Sequence, residues 1–145
     1  MDERTGMRLY IGGYAQGKLR RAAERFPDFR ILQGETDELP EDAGNFIFNH
    51  FHLWFRRHFL KGEDPVRLLD TILGTGAKEA SKNGYADRHG GRDFVIIADE
   101  VGCGIIPAEE QDRAYREALG RCLILLAEKA EEVQRVYCGL SERIK

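Results

Sequence analysis

Gly12-Gly13-Tyr14-Ala15-Gln16-Gly17-Lys18-Leu19 follows the spacing of a phosphate-binding loop, G-x-x-x-x-G-K-[ST], at every position but the last. In such a loop the glycines let backbone N–H groups curl around a polyphosphate, the helix that follows adds its dipole, and the lysine supplies a cation. Residues 12–19 are therefore the candidate nucleotide-phosphate cradle, with Lys18 as the residue that neutralises developing charge. Leu19 stands where Ser or Thr would hold Mg²⁺, and an alkyl side chain cannot ligate a metal.

A second constellation closes the apolar run Phe94-Val95-Ile96-Ile97-Ala98 with Asp99-Glu100. A carboxylate at the end of a buried strand lies at the sheet edge where ligands of open α/β folds bind. Nucleotide enzymes use such an acid to hold Mg²⁺ directly or through water, so Asp99 and Glu100 are the candidate metal carboxylates and Glu100 a candidate catalytic group. Further along lie His50 and His52, at the end of another short apolar run, and His58 and His89. An imidazole can attack an α-phosphorus. It can equally serve as a locally hydrogen-bonded helix start beside Trp54. Trp54, amid Phe51, Phe55 and Phe59, reads as core or subunit interface. Arg56-Arg57, with His58 beside them, reads as a solvated helix face.

The elements that would position these groups alternate. Residues 8–11 read as a strand, 17–26 as a helix ended by Pro27, and 29–33 as a second strand. The acidic, turn-rich stretch 34–44 reads as a surface loop. Residues 45–48 form a third strand leading into an aromatic segment. Asp64-Pro65 is a helix start, Asp as N-cap and Pro in the first turn, with Gly74 as its stop after Leu73. Residues 75–92 are polar and glycine-rich. The run 94–98 is a strand buried on both faces. Pro107 opens the longest helix, whose spacing (Tyr115, Ala118, Leu119, Cys122, Leu125, Leu126, Val133) carries it to Val133, and residues 136–138 read as a last strand. This alternation predicts an α/β domain with a mainly parallel sheet.

Composition fits one soluble domain over residues 1–145, with 42% hydrophobic and 32% charged residues. A net charge of -3 argues against nucleic-acid binding driven by bulk electrostatics. No apolar run approaches the roughly 20 residues that span a bilayer, and residues 1–8 have no apolar leader segment. Cys103, Cys122 and Cys138 are odd in number and lack C-x-x-C spacing, so the expectation is buried, reduced thiols in the cytoplasm.

Glu100-Val101-Gly102 and Gly104-Ile105-Ile106-Pro107, read with Gly12-Gly13 and Gly17-Lys18, resemble the adenosylcobinamide kinase/adenosylcobinamide-phosphate guanylyltransferase family, which shows E-V-G-x-G-I-[VI]-P after its acidic strand. Arg116, Gly120-Arg121, Gly139 and Ile144-Lys145 fit the family's helix, closing strand and tail, and residues 46–60 with Leu53-Trp54 look like its central strand and helix. The resemblance implies a RecA-like P-loop fold and a role in cobalamin biosynthesis. It implies GTP or ATP as nucleotide, adenosylcobinamide as acceptor, phosphorylation of the aminopropanol hydroxyl, GMP transfer through a guanylylated histidine, and assembly as a trimer. The chain departs from the family at three places. Leu19 replaces its Ser, Leu123 its Asn, and the interval 26–45, where the family carries the covalent histidine, contains none.

Kinase chemistry rests on positioning and charge stabilisation and survives that loss better than guanylyl transfer. The alternatives are a non-catalytic nucleotide- or corrinoid-binding relative, which Leu19 and the shortened interval favour, and a compact enzyme with a different small phosphorylated substrate.

Overall fold

The structure is a computed structural model and describes residues 6–40, 44–69, 93–100 and 109–145. Six strands form one sheet: β1 (Met7–Gly12), β2 (Arg30–Gln33), β3 (Phe46–Asn49), β4 (Phe94–Asp99), β5 (Glu132–Tyr137) and β6 (Leu140–Arg143), in the order β2-β3-β4-β1-β5-β6. The first five are parallel and β6 is an antiparallel edge. The helices described from end to end are α1 (Lys18–Arg25), α2 (Phe51–Leu60) and α3 (Glu110–Lys129).

Side chains alternate between the two faces of a strand, so each face acquires its own core. Met7, Leu9, Phe46, Phe48, Phe94, Ile96 and Ala98 pack with Phe51, Trp54 and Phe55 of α2 and with Tyr115, Leu119, Cys122 and Leu126 of α3. On the opposite face Tyr10, Ile47, Val95, Ile97 and Val136 pack with Ala22 of α1. This three-layer arrangement, with a central β1 whose carboxyl end feeds the glycine-rich loop, is a RecA-like α/β fold.

Several expectations need correction. Val133 lies in β5, not in the long helix: at Ala130 the backbone turns extended (ψ 141°), and Val133 pairs with Leu9 of β1. Leu125 is exposed. The chain does not end on one strand. Cys138 and Gly139, both at positive φ (51° and 75°), make a two-residue turn of the kind that suits a hairpin, and β6 follows. Cys138 is therefore exposed, while Cys122 is buried; both are free thiols.

Residues 34–40 of the acidic stretch form a turn and loop with Glu35 and Glu38 exposed, as expected, but the loop is tied down. Asp37 accepts from the backbone N–H of Gln33 at 2.7 Å, Leu39 is buried, and Glu38 grips α2. Glu38 accepts from Trp54 Nε1 at 2.8 Å and Arg57 Nη1 at 3.1 Å, and its Oε2 lies 2.8 Å from His58 Nε2. These partners hold its carboxyl below the ordinary value, against burial, which acts the other way. Arg57 and His58 are thus structural ties rather than a solvated face. Trp54 is core, 1% exposed, so it offers no surface to a partner subunit.

Asp64 accepts from the N–H of Val66 at 3.1 Å, as a capping residue should, and residues 65–69 are helical. The expected stop at Gly74, the polar segment 75–92 with His89, Cys103, Val101 to Ile106 and the helix opening at Pro107 lie outside the described residues. No helix among the described residues is long and apolar enough to cross a membrane.

Candidate functional site

The parallel register of β1 and β4 sets Gly12 opposite Asp99, so the glycine loop and the acidic strand end share one sheet edge. Glu100 continues the pairing by donating its N–H to the carbonyl of Gly12 at 2.9 Å. The loop Gly13-Tyr14-Ala15-Gln16 then turns back through Gly17 (φ 90°), a left-handed conformation natural to glycine, and α1 starts at Lys18. Ala15 shares the positive φ (55°) without a glycine's freedom. Tyr14 stands out at the loop tip, 83% exposed.

Lys18 is buried. Its Nζ donates to the carbonyl of Gly13 at 2.5 Å and pairs with Asp99 Oδ1 at 2.7 Å. The candidate cation and a candidate metal carboxylate thus meet across the sheet edge. Glu100 lies 3.5 Å from Arg135 Nε on β5. Leu19 packs against the core cluster on α1's side of the sheet. Among the described residues no group of three or more His, Cys, Asp or Glu is placed to hold a metal ion.

The turn between β5 and β6 is tied to the loop. Gly139 donates its N–H to the carbonyl of Gln16 at 2.9 Å, Cys138 donates to Gln16 Oε1 at 2.7 Å, and Arg21 Nε donates to the carbonyl of Gly139 at 2.8 Å. A hollow of about 470 Å³ opens beside this contact, bounded by Gln16, Gly17, Arg20, Arg21, Cys138 and Gly139.

His52 joins the site from α2. Its Nδ1 accepts the backbone N–H of Asp99 at 3.1 Å, which leaves the proton on Nε2, 3.4 Å from Asp99 Oδ2. Burial lowers its pKa, against the pull of Asp99, so the ring stays neutral more readily. With one nitrogen accepting and the other protonated, His52 has no lone pair left for a nucleophile or a metal ligand. Tyr115 of α3 donates its hydroxyl to the carbonyl of His52 at 2.9 Å, and burial pushes that phenol up to about 12.

His50 caps α2 in a left-handed conformation (φ 53°, ψ 46°), its Nδ1 2.6 Å from Glu35 Oε1 and its ring edge-on to that of His52, 5.5 Å between centroids. Neither Glu35 nor Tyr115 stands out in the sequence as a site residue; both come into view only when β3 and α3 are brought to the same edge.

No curated protein matches the chain. A family model described as cobinamide kinase / cobinamide phosphate guanyltransferase matches residues 32–144. The matched stretch spans β3, α2, β4, α3, β5 and β6, and it begins beyond the glycine loop, so the loop and the family match are separate observations. The family is one of nucleotide-dependent kinases and transferases of cobalamin biosynthesis, in keeping with a strand-loop-helix of phosphate-binding pattern beside an acidic strand end. The chain belongs to the cobinamide kinase / cobinamide phosphate guanyltransferase family.

Proposed function

We propose that the chain binds a nucleoside triphosphate on the loop Gly12 to Leu19 and transfers its γ-phosphoryl group to the hydroxyl of a cobinamide-type acceptor. The observation that carries this reading is the buried Lys18, fixed between the Gly13 carbonyl and Asp99 at the root of the loop. Phosphoryl transfer asks the protein mainly for positioning and for cations near the equatorial oxygens. Loop N–H groups and Lys18 are groups of that kind. Mg²⁺ usually arrives with the phosphates, keeps several waters and takes one or two carboxylates. Asp99 and Glu100 are the carboxylates suited to that role, and the ion would neutralise charge on the phosphates. Guanylyl transfer by the family's histidine route is not part of the proposal, because residues 26–45 contain no histidine.

A second reading, a nucleotide-binding relative without turnover, is favoured by one feature: the position of the metal-binding hydroxyl is taken by Leu19, which packs into the core.

Calorimetric titration of GTP and ATP, each with and without Mg²⁺, followed by cobinamide, separates the two. Mg²⁺-dependent binding with phosphorylated cobinamide as product supports the kinase. Binding indifferent to Mg²⁺ with no product supports the binder. Lys18→Ala should weaken nucleotide binding about tenfold or more, the scale of one charge-assisted contact. Unchanged affinity would sink the phosphate assignment.

A further inference from the structure

We propose that His50, oriented by Glu35, is the general base that takes the proton of the acceptor hydroxyl during phosphoryl transfer; this rests on the kinase reading above. Four observations converge on it. His50 follows the carboxyl end of β3, the strand next to β4, and so stands at the sheet edge that carries Lys18 and Asp99. Its Nδ1 lies 2.6 Å from Glu35 Oε1, so the neutral ring donates Nδ1–H to the carboxylate and keeps its lone pair on Nε2. Its backbone sits at positive φ, uncommon for a residue that is not glycine and a form of strain that gathers at functional sites. Its carbonyl is approached so closely by Gly34 that any Cβ at residue 34 would overlap it.

The neighbouring histidine sharpens the assignment. His52 accepts on Nδ1 and carries its proton on Nε2, so it cannot be the base. His50 has the opposite tautomer, set by Glu35, and its side chain is 37% exposed, so an acceptor can reach it. Among the described residues, the titratable side chains against His50 are Glu35, from the turn after β2, and His52, from α2.

The step balances without another reactant. The acceptor oxygen forms a bond to the γ-phosphorus while the bond from that phosphorus to the bridging β,γ-oxygen breaks, releasing a nucleoside diphosphate. The hydroxyl proton passes to Nε2 of His50, and the imidazolium that forms is stabilised by the Glu35 carboxylate until it loses the proton to water. Carboxylate-oriented imidazole is a common arrangement for such work, and a well-placed base contributes about 10²–10⁴-fold.

The test uses the whole chain with a nucleoside triphosphate, Mg²⁺ and cobinamide. His50→Asn keeps a residue that tolerates the left-handed backbone but removes the base. It should lower kcat about 100-fold or more while nucleotide affinity, read by calorimetry, stays as in the wild type. Glu35→Gln should lower kcat less. Long-range ¹H–¹⁵N NMR of the wild type should find the neutral His50 proton on Nδ1. Wild-type kcat in His50→Asn, or a proton on Nε2, overturns the proposal. Nucleotide binding with no turnover in the wild type overturns it too, yet leaves the phosphate cradle standing. Absence of nucleotide binding removes the cradle and the base together.

Discussion

The Asp99 N–H donates to Nδ1 of His52 at 3.1 Å, so the end of β4 and the first turn of α2 are joined through an imidazole that must stay neutral. Acidification breaks this joint. Burial holds the His52 pKa below its ordinary 6.5, so the unfolded chain takes up a proton that the folded one refuses. The stabilising contribution is full above about 6.5 and is lost as the pH falls through that value toward the folded pKa. Glu38 and Glu132 are also shifted, downward from 4.5, so their contributions are lost only below about that pH. The interval from pH 6.5 to 5 therefore separates His52 from these two carboxylates, and comparison with a His52 variant reads its share. Urea unfolding at pH 7 and pH 5 should show a larger loss for the wild type than for His52→Asn, whose side-chain oxygen can still accept the Asp99 N–H. Equal losses would mean that His52 is not a neutral buried ring.

Tyr115→Phe deletes the hydroxyl that donates to the His52 carbonyl. That carbonyl loses a buried donor, at a cost of about 1–2 kcal/mol in unfolding free energy. In the wild type the phenol should titrate late, near pH 12 by ultraviolet absorbance. An unchanged stability would show that water or another donor reaches the carbonyl.

Leu19→Ser exchanges a partly buried leucine for the missing hydroxyl. Unfolding free energy should fall by about 1–2 kcal/mol, from lost apolar burial. Mg²⁺-dependent nucleotide binding should strengthen. Lower stability with no gain in Mg²⁺ dependence would place the obstacle to metal binding elsewhere than residue 19.

Gly34→Ala and Gly120→Ala should move stability in opposite directions. At Gly34 a methyl group would overlap the His50 carbonyl and crowd the turn whose own carbonyl accepts from Arg57 Nε at 3.0 Å, so a loss of about 1–3 kcal/mol is expected. At Gly120, inside α3, an added Cβ meets nothing within 4 Å, and the higher helix propensity of alanine should raise stability by about 1 kcal/mol. Thermal unfolding of the two variants beside the wild type reads the sign directly.

Much of the fold was legible because local rules decide it. The unbroken apolar run of β4 and the Asp64-Pro65 helix start each carry their own signal, and the glycine loop announces a strand on one side and a helix on the other. Lys18 and Asp99 could be singled out by residue type and spacing, and the fold brings the two together at 2.7 Å. What stayed hidden depends on register and packing. Nothing in the sequence near Gly12 says that Asp99 will pair opposite it. Glu38 meets Trp54, Arg57 and His58 only because the turn after β2 folds onto α2, so Arg57 and His58, read as a charged face, are structural. One signal was available there: a core tryptophan must find an acceptor for its indole N–H. The hairpin at Cys138-Gly139 was obscured because β6 is exposed along its whole length and so shows no apolar alternation.

The bonds that join Gln16 and Arg21 to Cys138 and Gly139 tie segments 118 or more residues apart in sequence. The glycine loop leaves the ribosome well before the turn that braces it, Gln16 preceding Cys138 by 122 residues. Until residue 139 has emerged the loop has its residues but not its brace, and β1 has neither of its sheet neighbours until β4 is made. Nucleotide would therefore meet a shaped loop only once residues 138 and 139 are in place, and a chain cut before that hairpin would keep the loop residues without the contacts that hold their form.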